Sequence, residues 1–284
     1  MDRQIVIRNK NLEATITLRG AELLSLKKNN KEYIWIGDEK YWKAHAPILF
    51  PVCSGLIDEE YSINGKNYPM TKHGFIRFKD FNILSSGTDY AIFSFLGNEE
   101  TRKSFPFKFQ IIVKYILTDK LEIDYKVINL GTDSMYFSIG SHEGYLLDDD
   151  FENYYIEFEK DEALMSNEVV GSLLSHKLKD FSSFNNHLPL RYDDYKVDAL
   201  VFQNVNSRKL SLMHVSKGKI LTVEFPHASN IVTWTKIGAK YICIEPWTAV
   251  GDYIDSPKDI TKKDNIIKLE SSKSYHFYHS IKVD

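Results

Sequence analysis

Strict alternation of apolar and polar residues dominates this chain and excludes a helical fold. In the stretch FKFQIIVKYIL the residues Phe107, Phe109, Ile111, Val113, Tyr115 and Leu117 share one parity. After a Thr-Asp-Lys turn, Leu121, Ile123, Tyr125 and Val127 repeat the pattern. A period of two puts all of these side chains on one face of a strand, whereas a helix would scatter them around its axis. The pair therefore predicts a β-hairpin with one buried face. The same alternation runs through LEATITL (12–18), YAIFSFL (90–96), LSLMHV (210–215), ILTVEF (220–225), IVTWTK (231–236), YICIEP (241–246) and HFYHSIKV (276–283). Helical periodicity is confined to short pieces such as GDEKYW (37–42), which predict single turns.

The fold class that follows is all-β and antiparallel. With well over ten strands, a large antiparallel β-sandwich accommodates the chain better than a small barrel. No internal repeat and no Pro/Gly/Ser linker divides it, so residues 1–284 are expected to form a single domain. The polar stretch HKLKDFSSFNNHLPLRYDDYK (176–196) is the least strand-like part and reads as a long excursion over the sandwich.

Charge and composition narrow the function classes. The 284 residues carry a formal net charge of −3 without a basic stripe, which argues against a nucleic-acid partner. Hydrophobic residues make up 43%, as expected of a water-soluble chain, and no run approaches the ~18 apolar residues of a membrane span. The start MDRQIVIRNKNLEATI lacks the pattern of a signal peptide, so a cytoplasmic protein is expected. Two lone cysteines, Cys53 and Cys243, make no disulfide scaffold and are expected to be free thiols.

Four short segments place chemistry-bearing side chains among apolar ones. In YPMTKHGFIRFKDF, His73 precedes Gly74 and Arg77 follows four positions after His73. A histidine exchanges hydrogen bonds with hydroxyls near neutral pH, and a guanidinium fork can hold vicinal hydroxyls or a phosphate. A strand-edge histidine beside a surface arginine is the competing reading. In IGSHEGYLL (139–147), His142 sits among small residues that let backbone approach a ligand, or else within a plain turn. In YICIEPWTAVGD (241–252), Glu245 closes an apolar strand. A carboxylate there is costly unless paired or used, and partial desolvation raises its proton affinity toward that of a general base. Trp247 beside it offers an apolar face for a sugar ring. In VDALVF (197–202), Asp198 is either a hydroxyl acceptor or simple turn chemistry. His142 and Glu143 are adjacent, but no HExxH or clustered Cys/His spacing accompanies them, so no metal is expected.

Taken in chain order, these segments resemble the aldose 1-epimerase (galactose mutarotase-like) family, most closely its LacX-like branch. AHAPILFPVCSGL (44–56) resembles the branch's proline-bearing segment, and FPFKFQIIVKYIL its aromatic strand. GSHEGY resembles the second-histidine motif, VDALVF the D-A-L-[IV]-F segment, and CIEPWTAVGD the strand bearing the catalytic glutamate. The likeness spans roughly residues 5 to 282. The chain departs from the pattern at Ser54, Ser141, Glu143 and Gly144.

The resemblance implies a β-sandwich with a sugar cleft on one sheet and anomer exchange of an aldose without cofactor or metal. It implies Glu245 as the base at the C1 hydroxyl and His142 as the acid at the ring oxygen. His73 would hydrogen-bond near the reacting oxygens. Asp198 and Arg77 would orient the remaining hydroxyls. The arginine motif of the galactose mutarotases is not evident near Gly55. Two alternatives stay open: a non-catalytic carbohydrate-binding or sensing protein on the same fold, and an epimerase of phosphorylated hexoses. The second requires another basic residue converging with Arg77.

Overall fold

Two large sheets carry the chain. The computed structural model describes residues 3–182 and 185–284. Nine strands form the larger sheet in the order 187–189, 154–158, 209–214, 218–224, 274–283, 121–129, 109–117, 90–96 and 82–86. Six strands form the other: 143–146, 241–247, 230–234, 200–202, 165–170 and 173–180. Neighbours are antiparallel throughout both sheets. A four-stranded sheet from the N-terminal region and two small two-stranded ribbons complete the strands.

The expected strands form because their alternation matches burial. Along Phe109–Leu117 and Leu121–Asn129, every second residue is buried and those between are half-buried. Their inward side chains meet those of the smaller sheet, including Ile231, Ile242 and Ile244, in one apolar core. Phe50, Phe105, Phe109 and Phe137 pack within it, with Phe50 5.3–5.7 Å from the other three ring centres. Each such aromatic pair adds about 0.5–1.5 kcal/mol beyond the area it buries. Truncating Phe109 to alanine would cost about 3–5 kcal/mol, because the rings around the void cannot close it.

The segment 37–42 contributes one turn, closed by hydrogen bonds from the Tyr41 and Trp42 amides to the Asp38 carbonyl. The polar stretch 176–196 differs from its expected form as an irregular excursion. Leu173–Asp180 is an edge strand of the six-stranded sheet, and His187–Pro189 is an edge strand of the nine-stranded one. The segment thus passes from one sheet to the other. Its strands were hidden because residues 176–180 are exposed on both faces, so no alternation marks them. Residues 183 and 184 lie outside the described residues. No helix among the described residues is long and apolar enough to cross a membrane.

Candidate active site

The outer face of the six-stranded sheet holds a cleft of about 440 Å³, lined by all six residues singled out above: His73, Arg77, His142, Asp198, Glu245 and Trp247. That volume falls in the range of small-molecule sites, roughly 300–1,000 Å³. Strand period explains how they converge. Along Tyr241–Trp247, Ile242 and Ile244 enter the main core, while Tyr241, Cys243, Glu245 and Trp247 share the opposite face. On the neighbouring strands Val201, Val232 and Trp234 line the same cleft.

His142 and Glu245 stand on adjoining chain segments. The strand Glu143–Leu146 pairs with Tyr241–Ile244, so His142 arrives just before that ladder begins. Gly140 is wedged between Leu49 and Trp247 in bridges to both. A Cβ there would fall 2.5 Å from the Trp247 ring, so only glycine allows the approach. The Trp247 indole then donates to the Ser141 carbonyl at 3.2 Å. These contacts bring His142 Nε2 to 3.3 Å from Glu245 Oε2.

Burial sets the protonation of this pair. Glu245 is 1% exposed and His142 8%. Loss of water pushes the Glu245 carboxyl well above its ordinary range, with Lys72 opposing that rise. The same desolvation pulls the His142 imidazole down to about 3. Both directions favour the uncharged forms, a protonated carboxyl beside a neutral imidazole. Transfer of the carboxyl proton to the imidazole would yield carboxylate and imidazolium, the forms that remove and deliver protons.

His73 comes from a separate segment. Its backbone has φ +67°, an unusual conformation for a residue with a side chain. Gly74 follows at φ +69°, where a Cβ would meet the Phe50 carbonyl at 2.2 Å. The sharp path inserts the His73 ring between His142, 5.5 Å away, and Trp247, 5.7 Å away, both edge to face. Burial and the nearby His142, Lys72 and Arg77 hold its proton affinity well below the usual histidine range. Arg77 lies on the short turn Ile76–Phe78 and donates from Nη2 to the Lys72 carbonyl at 2.9 Å, while its buried Nε is unpartnered. Asp198 accepts from the Ala199 amide through Oδ1, and its Oδ2 lies 3.9 Å from Lys72 Nζ.

The cleft also contains residues that sequence reasoning missed. Trp42 stacks on His142 at 5.0 Å, and Trp234 meets it edge-on at 5.8 Å. Both indoles are half-buried, whereas Trp247 is only 3% exposed, so Trp42 and Trp234 present more open aromatic surface. Trp234 could have been found from its parity with Val232; Trp42 sits in a loop without a pattern. Lys72, Lys196 and Lys236 line the cleft as well. Only Lys72 had a signal, its place beside His73.

Comparison with known proteins agrees with this architecture. LacX proteins of Lactococcus lactis subsp. lactis, one chromosomal and one plasmid-borne, are 28% and 27% identical to the chain. Each alignment covers 95% of the chain and 97% of its relative. A galactose mutarotase related enzyme from Lactobacillus acidophilus superposes with a TM-score of 0.91 at 28% identity, over 99% of this chain and 97% of that one. A galactose mutarotase-like protein from Lactobacillus casei superposes with a TM-score of 0.94 at 28% identity, over 99% of this chain and 100% of the other. The aldose 1-epimerase family model matches residues 3–280, and the chain accordingly belongs to the aldose 1-epimerase family.

Proposed function

We propose that the protein interconverts the α and β anomers of an aldose by acid–base ring opening. The observation that carries this reading is the Glu245–His142 pair, 3.3 Å apart on the cleft floor with an imidazole, a guanidinium and a carboxylate around it. Ring opening removes a proton from the C1 hydroxyl and delivers one to the ring oxygen bonded to C1. Glu245 as carboxylate takes the first and His142 as imidazolium gives the second. C1 turns about the C1–C2 bond, the groups exchange roles and the ring closes. Each positioned transfer contributes about 10²–10⁴-fold. His73 donates to the reacting oxygens, Arg77 and Asp198 hold the other hydroxyls, and Trp247, with Trp42 and Trp234, gives the ring an apolar surface.

A second reading concerns the substrate. Lys72, Lys196 and Lys236 line the same cleft as Arg77, which is the convergence a phosphorylated hexose would require. NMR exchange measurements on freshly dissolved α-glucose, α-galactose and their 6-phosphates test both readings. Accelerated exchange identifies an epimerase and its preferred charge state. Sugar binding without acceleration would identify a carbohydrate-binding protein instead.

A further inference from the structure

Cys243 shares the cleft-facing side of its strand with Glu245, two residues on, and His142 stands beside both. One ligand atom from each of the three lies within 4.8 Å of the other two. All three residues are more than nine-tenths buried. His142 Nδ1 and Glu245 Oε2 have no hydrogen-bond partner, although atoms so buried normally have one. Sequence spacing concealed the cluster, because His142 is far along the chain from the other two.

We propose that this imidazole, thiol and carboxylate form a binding site for a thiophilic divalent cation such as Zn²⁺, and that the bound ion blocks the acid–base pair. The site itself does not depend on the proposed activity; the blocking does, since it rests on Glu245 and His142 being base and acid.

Tetrahedral zinc with bonds of about 2.0–2.3 Å holds its ligand atoms roughly 3.3–3.6 Å apart. The 3.3 Å between His142 Nε2 and Glu245 Oε2 already equals one such edge. Closing the site requires the Cys243 sulfur, now within 4.8 Å of the other two ligand atoms, to move onto the ion; the Cys243 thiol proton and the Glu245 carboxyl proton both leave to solvent as the bonds form. The fourth position is left for a water. Lys72 and Arg77 line the same cleft and repel any cation, so selection comes from the sulfur and nitrogen donors rather than from the field. Mg²⁺ and Ca²⁺, which demand six or more oxygens, find one carboxylate here and are excluded.

The test is titration of the chelator-stripped full chain with Co²⁺, followed by absorption, then displacement by Zn²⁺. We expect one equivalent to bind with a thiolate-to-cobalt charge-transfer band that Zn²⁺ abolishes. Cys53→Ser should keep the band. Cys243→Ser should lose it and bind Zn²⁺ at least about 10-fold more weakly, the scale on which disturbing a metal site is felt. A wild type without the band overturns the site, as does a band that survives in Cys243→Ser or vanishes in Cys53→Ser. Anomer exchange is followed in parallel. An unchanged rate at saturating Zn²⁺ overturns the blocking. A metal-free protein that exchanges no anomers overturns the enzymatic reading and the blocking with it, while the cobalt band still decides the site.

Discussion

His73 and Ser54 clamp each other through two hydrogen bonds. The Ser54 amide donates to His73 Nδ1 at 3.0 Å, and the His73 amide donates to the Ser54 carbonyl at 2.8 Å. An amide can only donate, so Nδ1 carries no proton, and the neutral ring bears its proton on Nε2. His73 is therefore a fixed N–H donor at the cleft. Asparagine tolerates the left-handed backbone at this position, so His73→Asn removes the ring with little strain. We predict that sugar affinity and turnover both fall about 10-fold, the worth of one net hydrogen bond. Calorimetry and NMR exchange measure the two. A variant with both unchanged would return His73 to a purely structural role.

Glu245→Gln should abolish anomer exchange and leave the fold intact. The amide is nearly isosteric but cannot accept the C1 proton, and turnover should drop at least about 10²-fold. Thermal stability should hold or rise, because an ionisable group held in a dry site is replaced by one that never charges. Wild-type exchange in the folded variant would move the base elsewhere.

Legibility in the sequence followed burial. Strands 109–117 and 121–129 could be read because one face of each is buried and the other is half-open. The edge strand 173–180 could not, since five of its eight residues are exposed and no parity distinguishes them. Glu245 and His142 were visible as polar residues interrupting apolar or small-residue runs. Their partners were not. Trp42 comes from a loop, Lys72 is marked only by its place beside His73, and Cys243 reads as core. What brings them together is pairing between segments far apart in the chain, and spacing carries no record of that pairing.

Directly behind His142, Glu143 crosses the core to His279, with Oε1 2.8 Å from Nε2 and both residues at most 1% exposed. The pair ties the strand at the cleft floor to the nine-stranded sheet. Removing one partner strands the other without water, so Glu143→Leu should cost about 3–5 kcal/mol in urea unfolding. The double variant Glu143→Leu/His279→Leu should recover most of that, because neither polar group remains to be satisfied. A single variant as stable as wild type would show that His279 finds another partner.

Lys72 is the cleft cation nearest the candidate substrate-binding carboxylate, 3.9 Å from Asp198. If the substrate is phosphorylated, Lys72→Met should raise KM for the hexose 6-phosphate about 10–100-fold, the worth of a hydrogen bond to a charged group. KM for the unphosphorylated hexose should change far less. Steady-state coupled assays on both sugars read this directly. Equal effects on the two would assign Lys72 to holding Asp198 and remove the argument for an anionic substrate.

The sharpest separation between enzyme and binder lies in His142. Its ring is held by stacking on Trp42 and an edge contact with Trp234, without a hydrogen bond to Nδ1. The contacts fix the plane of the ring, with Nε2 toward Glu245. His142→Asn removes the proton donor but keeps a small polar group, so turnover should fall about 10²-fold or more. Sugar affinity should change much less, because Asp198, Arg77 and the indoles still face the cleft. NMR exchange gives the first quantity and calorimetry the second. Comparison with His73→Asn is the control, since that variant should lose affinity and turnover together. If His142→Asn binds poorly and what remains bound turns over normally, His142 is a binding group and the acid must be another residue of the cleft.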